Sequence, residues 1–123
     1  LSNDRKFVQV VDDDAAVCAS LKFVLELEGL SVQTHGSGPS LLADDRLAAC
    51  DCLILDYRMP EMDGFSVLSQ LAAKAIHVPV ILITAPVSEA LRRRARQHGV
   101  FSLLEKPLLD NVLVKNVRDA LSA

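Results

Sequence analysis

Several acidic residues, a threonine and a lysine stand at the ends of short apolar runs in this 123-residue chain. Asp12, Asp13 and Asp14 follow one run, Asp56 follows another, and Thr84 and Lys106 close two more. Taken singly, an aspartate after an apolar run is a turn residue or a helix cap. Their coincidence after four runs points to chemistry instead. Carboxylates brought together repel one another unless a cation neutralises them, and hard oxygen donors favour Mg2+ or Mn2+ over zinc. Magnesium keeps several waters and bridges to phosphate, so such a cluster suits phosphoryl transfer. One of the carboxylates would attack phosphorus to form an acyl phosphate. The Lys106 ammonium would pair with a phosphoryl oxygen, and the Thr84 hydroxyl would donate to another.

These residues meet only if the runs that carry them lie side by side. Five apolar runs, at residues 7–11, 31–34, 52–55, 80–83 and 101–104, alternate with stretches of helical length. The first, third and fourth are almost continuously apolar, as parallel strands covered on both faces require. Between the runs, Val17, Leu21, Val24 and Leu25 repeat at helical spacing, as do Phe65, Leu68, Leu71 and Ala72. Leu109, Leu113, Val117, Ala120 and Leu121 give the last stretch a similar stripe. Gly29 and Gly99 fall just past the first and fourth helices, where a left-handed residue suits glycine. Gly36-Ser37-Gly38-Pro39 opens the second helix, with Pro39 in its first turn. The alternation predicts an α/β three-layer sandwich: a five-stranded parallel sheet in the flavodoxin-like order 2-1-3-4-5, with five helices and right-handed crossovers. Ligands in such sheets sit beyond the strands' carboxyl ends, at the switch point between the first and third strands.

Composition narrows the class. Half of the residues are apolar, enough for one core, so residues 1–123 are expected to form one domain. A net charge of −3 suggests neither a nucleic-acid surface nor a membrane-bound face. No apolar run nears the roughly 20 residues of a membrane span, and no secretory pattern opens the chain, so a cytoplasmic protein is expected. Three cysteines are too few for a disulfide framework and are expected to be small core residues. The chain opens on Leu1 rather than Met, which suggests a piece of something longer, so an effector domain is expected to follow it.

The stretches VVDDD at 10–14, LILDYRMPEMDG at 53–64, VILITA at 80–85 and EKP at 105–107 together resemble the response-regulator receiver family over essentially the whole chain. That resemblance implies a two-component signalling domain rather than an enzyme: Asp56 takes a phosphoryl group from a sensor histidine kinase. It implies that Asp12 and Asp13 hold Mg2+ (or Mn2+) together with Asp56 and the backbone carbonyl of Arg58, and that Thr84 and Lys106 engage the phosphoryl group. It also implies a cis Lys106–Pro107 bond, and pairing of two copies through the fourth-helix to fifth-helix face. Asp14 is expected to cap the first helix. Pro60 and Gly64 shape the loop after Asp56. Ala85 is small, as suits an approach route for a phosphodonor, and Pro86 beside it is stiff.

One position departs from the family. Receivers generally carry Phe or Tyr three residues before the site lysine, and Leu103 stands there. Phe101, two residues earlier on the same strand face, is expected to be core. Arg92, Arg93, Arg94 and Arg96 read as a solvated basic face or a docking surface for an acidic partner or second subunit. With one Tyr and no Trp to stack on bases, nucleic-acid binding through this patch alone is not expected. His35, His77 and His98 are expected at the surface or at helix ends. A rival reading takes Asp12-Asp13-Asp14 as the D-x-D of a haloacid-dehalogenase-like phosphatase, with Asp12 as nucleophile, which leaves Asp56 unexplained.

Overall fold

In the computed structural model, which describes residues 5–123, the apolar runs become parallel strands: β1 (Phe7–Val11), β2 (Ser31–His35), β3 (Cys52–Asp56), β4 (Val80–Thr84) and β5 (Ser102–Glu105). Their order in the sheet is β2-β1-β3-β4-β5, as expected. Helices α1 (Ala15–Leu27), α2 (Gly38–Leu42), α3 (Gly64–Ala73), α4 (Glu89–Gln97) and α5 (Asp110–Ser122) connect and follow them, and a 3-10 turn spans Leu47–Ala49. Register fixes the strand ends: Val10 pairs with Ile54, Leu55 with Leu82, and Ile83 with Leu104.

Successive side chains of a strand point to opposite faces, so the sheet divides its apolar residues between two cores. Val11, Leu53, Leu55 and Leu82 meet Leu41 of α2, Phe65, Val67, Leu68 and Leu71 of α3, and Leu91 and Ala95 of α4. Val8, Val10, Ile54, Ile81 and Ile83 meet Cys18, Leu21 and Leu25 of α1 and Leu113, Val117 and Ala120 of α5. This double burial is why β3 and β4 are apolar throughout and buried at every position. All three cysteines are buried and free.

Side-chain oxygens satisfy amides in the first turn of four helices: Asp14 caps α1, Ser37 α2, Asp63 α3 and Ser88 α4. Gly29 and Gly99 adopt φ of +87° and +72° past α1 and α4, the conformation expected of them. Two apolar stripes end sooner than helical spacing suggests. Ala72 is exposed while Val67 is buried instead, its Cγ2 lying only 2.7 Å from where a Cβ on Gly38 would stand. Leu109 is the N-cap residue of α5 and 63% exposed, since the helix begins one residue later. Phe101 is also not core: β5 starts after it at the edge of the sheet, and the ring is 40% exposed. Among the described residues no helix is long and apolar enough to cross a membrane.

Candidate functional site

Because the strands are parallel, their carboxyl ends share one edge, and every residue singled out from the sequence for chemistry lies there. Asp56 and Thr84 are the last residues of β3 and β4, Asp12 follows β1, and Lys106 follows β5. Asp12, Asp56 and Thr84 are 2%, 3% and 1% exposed, whereas Asp13 opens to solvent. Carboxylate oxygens of Asp12, Asp13 and Asp56 all lie within 4.8 Å of one another. Lys106 Nζ sits 3.3 Å from Asp12 Oδ2 and 3.4 Å from Asp56 Oδ1. Asp12 Oδ1 also accepts from the Asp14 amide at 2.9 Å, while the Asp14 carboxylate faces the α1 amides and not the cluster.

Electrostatics follow from this crowding. Burial pushes the Asp56 carboxyl above its ordinary value, and the neighbouring Asp12 charge adds to it; Lys106 and the Arg58 amide pull the other way. For Lys106, burial favours the neutral amine, yet the Asp56 and Asp12 carboxylates outweigh it and hold the ammonium above its ordinary value. Two buried carboxylates beside a third and a single lysine leave the cluster short of positive charge, which fits a divalent cation held by oxygen donors. Thr84 Oγ1 is buried with no hydrogen-bond partner among the described residues, which suits it to donate to an incoming oxygen.

The loop after Asp56 is fastened at both ends: the Tyr57 amide donates to Ile83 O and the Gly64 amide to Tyr57 O, each at 2.8 Å. A shallow cavity bounded by Asp13, Tyr57, Arg58, Met59, Pro60 and Asp63 lies against it. Gly64 leaves no room for a Cβ, which would meet Leu82 Cδ1 at 2.9 Å and Tyr57 Cα at 3.1 Å. The Lys106–Pro107 bond is cis, as the resemblance implies, and Ala85–Pro86 is cis as well. Leu103 is half-buried and packs against the α3–α4 core.

A family model for the response regulator receiver domain matches residues 8–118. The chain belongs to the response regulator receiver family. It is 36% identical over 118 residues to the C4-dicarboxylate transport transcriptional regulatory protein DctR of Rhodobacter capsulatus, covering 94% of this chain and 60% of the relative. It is 37% identical over 114 residues to the transcriptional regulatory protein FixJ of Azorhizobium caulinodans, covering 93% and 54%. The chain thus spans little more than half the length of these curated relatives. Among solved structures, the chemotaxis protein CheY4 of Vibrio cholerae superposes with a TM-score of 0.89 at 25% identity, covering 95% of this chain and 99% of that one. The fold expected from the alternation of runs and the receiver class implied by the resemblance therefore both hold.

One buried group beside this receiver site went unread in the sequence. His35, expected at the surface or a helix end, is 8% exposed and hydrogen-bonded to Gln9, Ser40 and Asp44. The signal was Gln9 itself, a polar residue in the middle of FVQVV. His98 does end a helix, at the C-cap of α4, where it stacks on Phe65 at 4.8 Å. Arg94 covers the Phe65 ring at 4.3 Å, so that arginine packs rather than merely facing solvent.

Proposed function

We propose that Asp56 is the phosphoacceptor of this receiver, taking a phosphoryl group from a phosphohistidine of a sensor kinase. The reading rests on Asp12, Asp13 and Asp56 converging within 4.8 Å with Lys106 between Asp12 and Asp56. Asp12, Asp13, Asp56 and the Arg58 carbonyl would hold Mg2+, with Mn2+ an alternative of the same ligand preference. When bound, the cation neutralises charge on the carboxylates and the phosphoryl oxygens.

The chain's own residues do the rest. An Asp56 carboxylate oxygen attacks phosphorus as the bond to the imidazole nitrogen of the donor breaks, and the electron pair leaves with the imidazole. Lys106 changes partner from Asp56 to a phosphoryl oxygen, keeping a charge next to the new acyl phosphate. Thr84 Oγ1, which has no partner among the described residues, donates a hydrogen bond to another phosphoryl oxygen. Ala85 leaves space for the donor, and Pro107 directs Lys106 inward. With Leu103 in place of an aromatic ring, the signal passes without a Thr84–ring coupling, and Arg58 and Pro86 set the lifetime of the acyl phosphate.

Residues 1–123 form one receiver domain and act as a signalling module rather than an enzyme in their own right. Its partners are the kinase, an effector domain carboxyl-terminal to this segment, and a second copy bound through the α4–α5 face. We assign nucleic-acid or membrane binding to no surface of it, and place the protein in the cytoplasm. Intact mass after incubation with Mg2+ and acetyl phosphate tests the chemistry. Wild type should gain one phosphoryl group, and Asp56→Asn none; uptake by Asp56→Asn together with its loss in Asp12→Asn would sink the assignment.

A further inference from the structure

Asp12 is held by its backbone as well as by its carboxylate, and the backbone hold leads to His35. The Asp12 amide donates to the His35 carbonyl at 3.1 Å, across the ends of β1 and β2. The Cys18 thiol lies 3.3 Å from the Asp12 carbonyl and 3.7 Å from the His35 carbonyl, tying both to α1. The plane of the Asp12 peptide, and with it the direction of the carboxylate, therefore depends on where the end of β2 sits.

The His35 ring fixes that end. Its Nε2 faces Gln9 Oε1 at 2.7 Å and Asp44 Oδ2 at 3.1 Å; two acceptors require a proton there. Its Nδ1 meets Ser40 Oγ at 2.8 Å. One ring thus joins β1, α2 and the loop after α2. Asp44 is anchored in turn by the Arg46 amide at 2.8 Å and the Arg46 guanidinium at 3.3 Å. Packing alone does not account for this network. Gln9 is fully buried and its Nε2 finds no partner among the described residues, an omission that costs about 1–3 kcal/mol and that an apolar residue would avoid.

We propose that His35, locked by Gln9, Ser40 and Asp44, is a positioning residue for the divalent-cation site, aiming Asp12 through the Asp12–His35 backbone bond. The inference rests on the cation-binding reading of Asp12, Asp13 and Asp56. Outer partners of metal ligands tune affinity by orienting them, and their loss costs about ten-fold or more. His35 acts on Asp12 in that manner, through the main chain.

Tyr57 offers the readout, being the only tyrosine in a chain without tryptophan and adjacent to Asp56. Mg2+ alone is titrated while Tyr57 fluorescence is followed, with far-ultraviolet circular dichroism confirming that each variant is folded. His35→Leu and Asp44→Ala should bind Mg2+ about ten-fold more weakly than wild type. Asp44→Asn removes the same charge but keeps an acceptor for Nε2, so it should restore wild-type affinity. Leu68→Ala, which weakens the core away from β2, should leave affinity unchanged. Asp44→Ala tests the idea even if His35→Leu does not fold. Wild-type affinity in Asp44→Ala, equal weakening in Asp44→Asn, or equal weakening in Leu68→Ala would each overturn the positioning role. Asp13→Asn serves as reference: if it binds as wild type does, or wild type does not respond to Mg2+, the cation site itself is wrong and the role of His35 falls with it.

Discussion

At the scale of single residues, the site is an electrostatic problem solved only in part by the protein. Burial and the Asp12 charge raise the Asp56 carboxyl above its unfolded value, so its neutral form suits the fold better than its charged form. Stability from this group is therefore largest in acid and declines as pH rises through the folded value. Asp56→Asn keeps the shape without the charge and should raise the unfolding midpoint of the metal-free domain at neutral pH, as thermal melts in EDTA would show. Added Mg2+ should narrow the gap. His35 works in the other direction. Burial lowers its value from the ordinary 6.5 despite the Asp44 carboxylate, so the fold is best served by the neutral ring. Stability from His35 is present above pH 6.5 and is lost as pH falls through the lower folded value. Urea midpoints from pH 8 down to about pH 5 should fall for wild type, and less steeply for His35→Gln. Asp12, Asp13, Asp56, Thr84 and Lys106 were readable as residues because each closes an apolar run. His35 was not, since a lone histidine after a mixed strand says nothing of the glutamine and aspartate around it.

At the scale of elements, strands and caps carry the site and loops refine it. Asp14, Ser37, Asp63 and Ser88 each start the helix that follows a strand, so helix amino termini follow the carboxyl edge of the sheet. The β3–α3 connection is the tightest of these. An alanine methyl at Gly64 would press on Leu82 Cδ1, which can move, and on Tyr57 Cα, which is backbone and cannot without shifting the residue after Asp56. Gly64→Ala should cost about 1–3 kcal/mol in denaturant unfolding, with a slower phosphoryl uptake because Tyr57 is displaced. Strand limits were legible to within a residue, because continuous apolar runs have few alternatives once both faces are covered. Helix faces were less so. Helical spacing names a stripe, but the orientation of α3 is set by Val67 against Gly38 and by Phe65 beneath Arg94 and His98.

At the scale of the whole molecule, one five-stranded sheet carries the proposed site along its carboxyl edge. A ligand that binds the folded state alone stabilises it by mass action. Mg2+ with beryllofluoride, supplied at a hundred times its dissociation constant, should therefore raise unfolding free energy by about 2.7 kcal/mol. Calorimetry of wild type and Asp13→Asn would check this: the shift should vanish in the variant. A shift of equal size in both would mean that the ligand binds elsewhere.

The order of chemistry-bearing residues along the chain, the βα alternation and the Asp14 cap were determined by the sequence alone, because each depends on neighbours within a few positions. Which of those residues touch was decided only by the tertiary structure. Lys106 meets Asp12 across 94 positions because β5 and β1 end on the same edge of one sheet. The Gln9–His35–Asp44 network and the cover over Phe65 have the same origin. Parallel register and helix orientation are long-range outcomes of packing, and no local pattern encodes them.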